Sequence, residues 1–366
     1  LAISVSQSGS AHSFIVGEAL KSAAARAGHK LGLKVISHLG EQGSFSDDEL
    51  AKADVAMSVA RQQGGNRLLV YDDAYGEQLR GDFELQSALA TVLDRNELVL
   101  HYQPIIDIRY NRVVGVEALM RWMRGSQMLS PGKFIPLAED SGLDFRMGEW
   151  AISEALQQLR RWQLAGVPIP GVSVNVSVRH LRQPTLLRSA QQALEATEIP
   201  ASAFTLELTE IDVMRDIENV LPTLWELKKA GIRIALDDFG TGLATFEYLK
   251  RFPLDYLKID GSFVRNLMTN PIDEEIILST VRVAKRLKLR TVAEHVHNAA
   301  IYERLTDLGV SYLQGDFFGK AMPLAEMFER QAPSTAHLRQ PTPRPLQGTP
   351  LPSAPPPSVG NTVGGA

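Results

Sequence analysis

Between Leu98 and Gln314 the chain repeats one pattern eight times: a short run of aliphatic and β-branched residues, then a connecting segment. The runs are Leu98 to Gln103, Val113 to Leu119, Val172 to Ser177, Phe204 to Leu208, Ile232 to Asp238, Asp255 to Asp260, Thr291 to Glu294 and Tyr312 to Gln314. Short apolar runs bounded by turn residues read as strands buried on both faces. Strands alternating with helix-sized segments predict parallel β/α units. Eight of them make an α/β fold, a (β/α)8 TIM-like barrel, whose chemistry collects at the C-terminal ends of the strands.

The residues at those ends are polar, which a core would not tolerate. Glu117 closes the second run, Asn175 lies in the third, Glu207 in the fourth, Asp237 and Asp238 close the fifth, Lys258 lies in the sixth, and Glu294 and Gln314 close the last two. Unpaired buried charge is strongly destabilising. Adjacent acids such as Asp237 and Asp238 also repel each other unless a cation sits beside them. Carboxylate and amide oxygens, in a chain without cysteine, suit a hard divalent ion such as magnesium or manganese. The fifth and sixth runs hold the densest part of this set, in IRIALDDFGTGLATFEYLKRFPLDYLKID from Ile232 to Asp260.

The remaining composition narrows the classes of function. The net charge of -4 provides no global basic field for long nucleic acid, so a phosphate ligand must be held locally. Absence of cysteine excludes disulfides, thiolate metal sites and cysteine nucleophiles. No apolar run approaches the roughly 20 residues needed to cross a bilayer, and the first residues lack the pattern of a signal peptide. These features predict a cytoplasmic chain; its start at Leu1 rather than methionine predicts a longer parent, with room upstream for sensory or membrane segments.

Residues 1–74 read as a small β-α-β-α-β unit, with strands near Leu1 to Ser6, Leu31 to His38 and Asn66 to Tyr71 and helices over Ala11 to Ala27 and Asp47 to Gln63. Residues 75–97 form a linker in which Leu85, Ala88, Leu89, Val92 and Leu93 follow the spacing of an amphipathic helix. The barrel is expected over 98–331. Residues 332–366 hold 9 of the chain's 20 prolines and few large apolar residues, which predicts a disordered tail compatible in part with polyproline II.

Taken in order, the motifs VEALMRW around Glu117, Asn-Val-Ser at Asn175, Glu-Leu-Thr-Glu from Glu207 to Glu210, Asp-Asp-Phe-Gly-Thr-Gly from Asp237, Lys-Ile-Asp from Lys258, Ala-Glu at Glu294 and Gln-Gly at Gln314 resemble the EAL-domain cyclic di-GMP phosphodiesterases. The stretch ELAKADVAMSVARQQGGNRLLVYDD resembles the end of a GGDEF domain, whose signature turn and metal residues are absent here. For Gly9 to Asp54 a second resemblance is to the fructose-type phosphotransferase B unit, with Ser6 where its phosphoryl-carrying cysteine would stand. Neither leaves that segment chemistry of its own.

The EAL resemblance implies metal-dependent opening of cyclic di-GMP to linear pGpG. It implies two divalent cations, Mg²⁺ or Mn²⁺, one held by Glu117, Asn175, Glu207 and Asp237 and the second by Asp237 and Asp238 with support from Glu294. Lys258 would orient the attacking water with Asp237; Arg121 would take a phosphate oxygen, Gln103 and Gln314 would hold substrate, and Glu210 would brace the loop from Phe239 to Thr245. A homodimer through the barrel is the expected assembly. The chain departs from the family at His295 and His297, where glycine and an acid are usual, at Leu243-Ala244-Thr245, and at Asp316, where an aromatic is usual. These departures predict a modest enzyme. The alternative is a receptor that binds cyclic di-GMP without cutting it; retention of every implied ligand argues against that, and the motif order argues against an unrelated sugar- or phosphate-processing barrel.

Overall fold

The computed structural model describes residues 84–242 and 246–323, together with residue 81 and two short strands, β1 (Ala2–Ser4) and β2 (Lys34–Ile36). The two strands pair in parallel, Ala2 beside Lys34, at places where the sequence predicts strands. The other elements expected over 1–74, and the proline-rich tail, lie outside the described residues.

Eight strands close a barrel: β3 (Leu98–Asp107), β4 (Arg112–Arg124), β6 (Val172–Asn175), β7 (Phe204–Thr209), β8 (Arg233–Phe239), β9 (Tyr256–Ile259), β10 (Arg290–Ala293) and β11 (Tyr312–Gln314). A further strand, β5 (Gln127–Leu129), folds back on the end of β4 as a hairpin outside the ring. From β4 through β6 to β11 neighbouring strands run parallel. The interior of these strands is almost continuously buried, with Val116, Leu206, Ile234 and Leu257 fully enclosed, as expected for strands covered on both faces.

The first strand corrects the expectation of parallel units throughout. β3 is antiparallel to both neighbours, β4 and β11. Only Ile108 to Asn111 join it to β4, a link closed by the Asp107 carboxylate accepting from the Arg109 N–H at 2.8 Å and by Asn111 at φ 46°. A parallel connection needs a crossover of a dozen or more residues, so a link this short must reverse the chain. The second strand also runs past its expected end to Arg124, which leaves Glu117 in mid-strand, paired opposite Gln103. Glu117 still marks the top of the parallel ring, because β6 pairs with β4 only from Val116 to Ala118.

The helices obey the same local rules. The helix Pro271–Leu287 starts at Asn270, whose side chain accepts from the Ile272 N–H, has proline in its first turn, places Asp273 and Glu274 at its N-terminus and Lys285 and Arg286 at its C-terminus, and stops at Lys288 in the left-handed conformation. Ile277 and Ala284 are its buried stripe. Residues 84–89 are helical, and Leu89 and Val92 are buried with Leu98, Trp122, Phe134 and Met147 in one apolar cluster. A second cluster, Ile259, Val264, Ile277, Val296, Ile301, Leu305 and Leu313, seats the helices behind β9 to β11.

Candidate active site at the strand ends

Parallel register lines up the polar residues. Asn175 is paired beside Glu207, and Asp237 beside Thr209, so the ends of β6, β7 and β8 stand at one level. Lys258 comes from β9, one strand further round, and Glu294 follows the last residue of β10. Among the described residues two groups of acids bring ligand oxygens within 4.8 Å of one another: Glu117, Glu207 and Asp237, and then Asp237, Asp238 and Glu294. Asp237 belongs to both. The sequence-predicted residues therefore converge.

The centre of the cluster is the Lys258 ammonium, 1% exposed and ringed by four carboxylates. It bonds Glu207, lies 2.8 Å from Glu294 Oε1 and 3.0 Å from Asp237 Oδ2, and reaches Glu117 Oε2 at 3.4 Å. Amides hold the outer carboxylate: Asn175 Nδ2 and Gln314 Nε2 each donate to Glu117 at 2.6 Å. Gln314 Nε2 also reaches Gln103 Oε1 at 3.1 Å, and Gln103 Nε2 donates to the Gly319 carbonyl at 3.1 Å. Asp238, at φ 54°, turns the chain so that its N–H donates to Asp237 Oδ1 at 2.9 Å.

One ammonium does not balance four carboxylates, and the proton affinities record the mismatch. Burial opposes the charge on Lys258, yet Asp237, Glu117, Glu207 and Glu294 together hold it well above the ordinary lysine value. Burial and the repulsion of Glu117 and Asp237 push Glu207 up to about 8. Burial and the same two neighbours push Glu294 well above the usual carboxylate range, against the pull of Lys258. Asp238 is raised to about 6 by burial, then by Asp237 and Asp260. Glu117 is the exception. Burial would raise it, but Lys258 and the hydrogen bonds from Gln314, Asn175 and Lys258 bring it below the ordinary value. A cluster with this excess of buried negative charge, all of it oxygen, fits hard divalent cations.

The other predicted residues take their places around this centre. Arg121 is on the same face of β4 as Glu117, half-buried, its Nη1 donating to the Met120 carbonyl at 2.8 Å. Glu210, 1% exposed, accepts from the Gly240 N–H at 2.7 Å. A Cβ at Gly242 would come within 2.5 Å of its Oε1, so only glycine lets this loop close on the carboxylate. Above the acids opens a cavity of about 780 Å³ whose lining includes Gln103, Glu117, Arg121, Asp237, Glu294 and Gln314. His295, His297 and Asp316, the departures seen in the sequence, line it as well. Arg265 and Lys320 were not foreseen as lining residues. Their only sequence signal is position: Arg265 lies on the short helix that opens at the end of β9, and Lys320 six residues beyond Gln314.

A barrel with one reversed strand and an acid-and-amine cluster over its open end defines the class of protein, and comparison with known proteins gives it a family. The EAL domain model matches residues 84–321, and the chain belongs to that family. It is 36% identical over 286 residues to the bifunctional diguanylate cyclase/cyclic di-GMP phosphodiesterase MucR of Pseudomonas aeruginosa, covering 78% of this chain and 42% of that protein. It is 34% identical over 291 residues to the cyclic di-GMP phosphodiesterase PdeR of Escherichia coli, covering 79% of this chain and 44% of that one. The chain thus spans about two fifths of the length of these relatives. Among solved structures, the MucR phosphodiesterase in complex with c-di-GMP superposes with TM-score 0.64 at 38% identity over 67% of this chain and 99% of that one. The FimX EAL domain of Xanthomonas citri, in complex with c-diGMP, gives TM-score 0.62 at 26% identity over 69% and 98%.

Proposed function

We propose that this chain hydrolyses cyclic di-GMP to linear pGpG and requires two divalent cations, Mg²⁺ or Mn²⁺. The observation that carries the reading is the charge imbalance around Lys258, four carboxylates on one ammonium beneath an open cavity. Glu117, Asn175, Glu207 and Asp237 are the residues to hold one cation, and Asp237, Asp238 and Glu294 the residues to hold the other. Asn175 would turn its amide so that oxygen rather than nitrogen faces the ion. Bound there, such ions polarise a phosphoryl oxygen and lower the pKa of a water.

The chain's own residues supply the rest. Lys258 orients the attacking water, helped by Asp237, while Arg121 holds a non-bridging oxygen of the same phosphate. Gln314, which donates to both Gln103 and Glu117, fixes with Gln103 the floor on which that phosphate rests. The water oxygen joins phosphorus and one bond from phosphorus to a ribose oxygen breaks. The linear product keeps one phosphodiester and gains one terminal phosphate.

The relatives named for this activity and the retention of every implied ligand favour hydrolysis over binding alone. The test is a turnover assay of the whole chain with Mg²⁺ or Mn²⁺, with and without EDTA. pGpG should form with metal and not with chelator. Tight binding with no product under either metal would establish the receptor instead. His295 sits at φ 55°, a left-handed conformation that favours glycine, so replacing it with glycine and His297 with glutamate should raise turnover several-fold.

A further inference from the structure

The acids account for one phosphate of a cyclic dinucleotide, but the cavity wall above them carries charged groups that the chemistry does not use. Asp316, Arg265 and Lys320 all line it and all are exposed; Asp316 and Lys320 make no side-chain hydrogen bond or ion pair with another described residue, and Arg265 acts only electrostatically, on Asp260. Charge of both signs lining one cavity is a hydrogen-bonding surface for a ligand that presents donors and acceptors together.

Asp316 is held firmly in place. Gly315 packs onto the loop after β10 so closely that a Cβ would lie 2.2 Å from the Val296 carbonyl oxygen, and its φ of +154° favours glycine. Val296 N–H donates to the Gln314 carbonyl at 3.0 Å, and Phe317 N–H donates back to the Val296 carbonyl at 3.0 Å. A turn, with Phe318 N–H bonded to the Gly315 carbonyl at 3.0 Å, then fixes the residue between. Phe317 and Phe318 pack on Tyr302, with ring centroids 5.9 and 6.1 Å away. Across this seam His297 Nδ1 lies 3.1 Å from the His295 carbonyl. A carbonyl only accepts, so Nδ1 carries a proton, and in the neutral ring Nε2 is then an acceptor.

The cavity lining therefore offers acceptors, the Asp316 carboxylate and Nε2 of a neutral His297, together with donors, Arg265 and Lys320. Guanine is the base that matches this pattern. Its Watson–Crick edge places the ring N–H and the exocyclic amine side by side, two donors that a carboxylate accepts together. Its O6 and N7 are acceptors for an arginine or lysine. Adenine presents a ring acceptor where guanine has the ring N–H, and it would face the carboxylate lone pair to lone pair.

We propose that Asp316 is a specificity-determining residue that reads the Watson–Crick edge of one guanine, with Arg265 or Lys320 on the O6 side. The inference rests on the proposed cyclic dinucleotide ligand and deepens it. A bidentate contact of this kind discriminates by roughly tenfold or more. The experiment is a calorimetric titration of the whole chain with cyclic di-GMP and, separately, cyclic di-AMP, using Ca²⁺ as the oxygen-seeking ion and following product in the same samples.

The wild-type chain should prefer the guanine ligand by roughly tenfold or more, and Asp316→Ala and Asp316→Asn should each bring the ratio close to one. A loss of folding lowers both affinities together and leaves the ratio intact, so the ratio is the readout. An unchanged ratio in both variants overturns the assignment to Asp316 while leaving the proposed hydrolysis standing. A wild-type chain that binds and cuts neither dinucleotide overturns the proposed function, and this inference with it.

Discussion

Two lysines on neighbouring parts of the barrel meet acids in opposite ways. At the start of β9, Lys228 pairs one-to-one with Asp255 at 2.6 Å, and both are part-exposed. The same carboxylate accepts from the Ile234 N–H at 3.0 Å, and the Asp255 backbone bonds Ile234 and Arg290, so every group there has a partner. Three residues on, Lys258 is buried under four carboxylates, two of which, Glu207 and Glu294, are pushed up in pKa. Both places are ion pairs by distance. The difference is stoichiometry: the scaffold pairs its charges one to one, and the site keeps an excess of acids that protons or a bound cation must relieve.

The largest expected effect removes part of that excess. Asp237→Asn should lower turnover of cyclic di-GMP by at least about 10³-fold, since Asp237 belongs to both acid groups, while the melting temperature in EDTA stays level or rises. A fall in melting temperature would make Asp237 a scaffold charge and erase the contrast.

Glu210 tests an intermediate case, a buried acid that anchors a loop. Glu210→Gln weakens the charge-assisted bond from Gly240, and the displaced loop should cost on the order of 10²-fold in turnover with little change in affinity for a non-hydrolysed analogue. Equal loss of affinity and turnover would place Glu210 in substrate binding instead.

On the scaffold side, Asp255→Ala removes a part-exposed ion pair and one backbone hydrogen bond. The expected cost is about 2 kcal/mol of stability, read as a melting temperature several degrees lower, with turnover per folded molecule within about twofold of the parent. A large loss of turnover would mean that the balanced end of the barrel also serves the chemistry.

The smallest effect concerns a buried group outside both regions. His180, 1% exposed, packs beside Gly148, and burial lowers its pKa below the ordinary histidine value against the pull of Glu149 and Asp144. A base depressed on folding contributes stability that is present above its unfolded value of about 6.5 and is lost as the pH falls through the folded value. The melting temperature should therefore drop between pH 7 and pH 5, and His180→Gln should flatten part of that slope. An identical slope in the variant would assign the loss to other groups.

Much of this was legible in the chain itself. Eight apolar runs specified eight barrel strands because burial on both faces leaves no place for alternation, and polar residues at their ends could only point to a site. The reversal after the first run was missed: the nine residues between Gln103 and Val113 are too few for a parallel crossover, but the regularity of the other units hides it. What only the tertiary structure decided lies between segments far apart in sequence. Closure of the ring brings Gln103 to Gln314, 211 residues away, and sets Glu117 and Lys258, 141 residues apart, in one cluster. A run of residues reports its own periodicity and caps, which are local. Which carboxylates share one ammonium, and that Arg265, Lys320 and Asp316 face one cavity, depends on strand register and loop packing, which no single segment encodes.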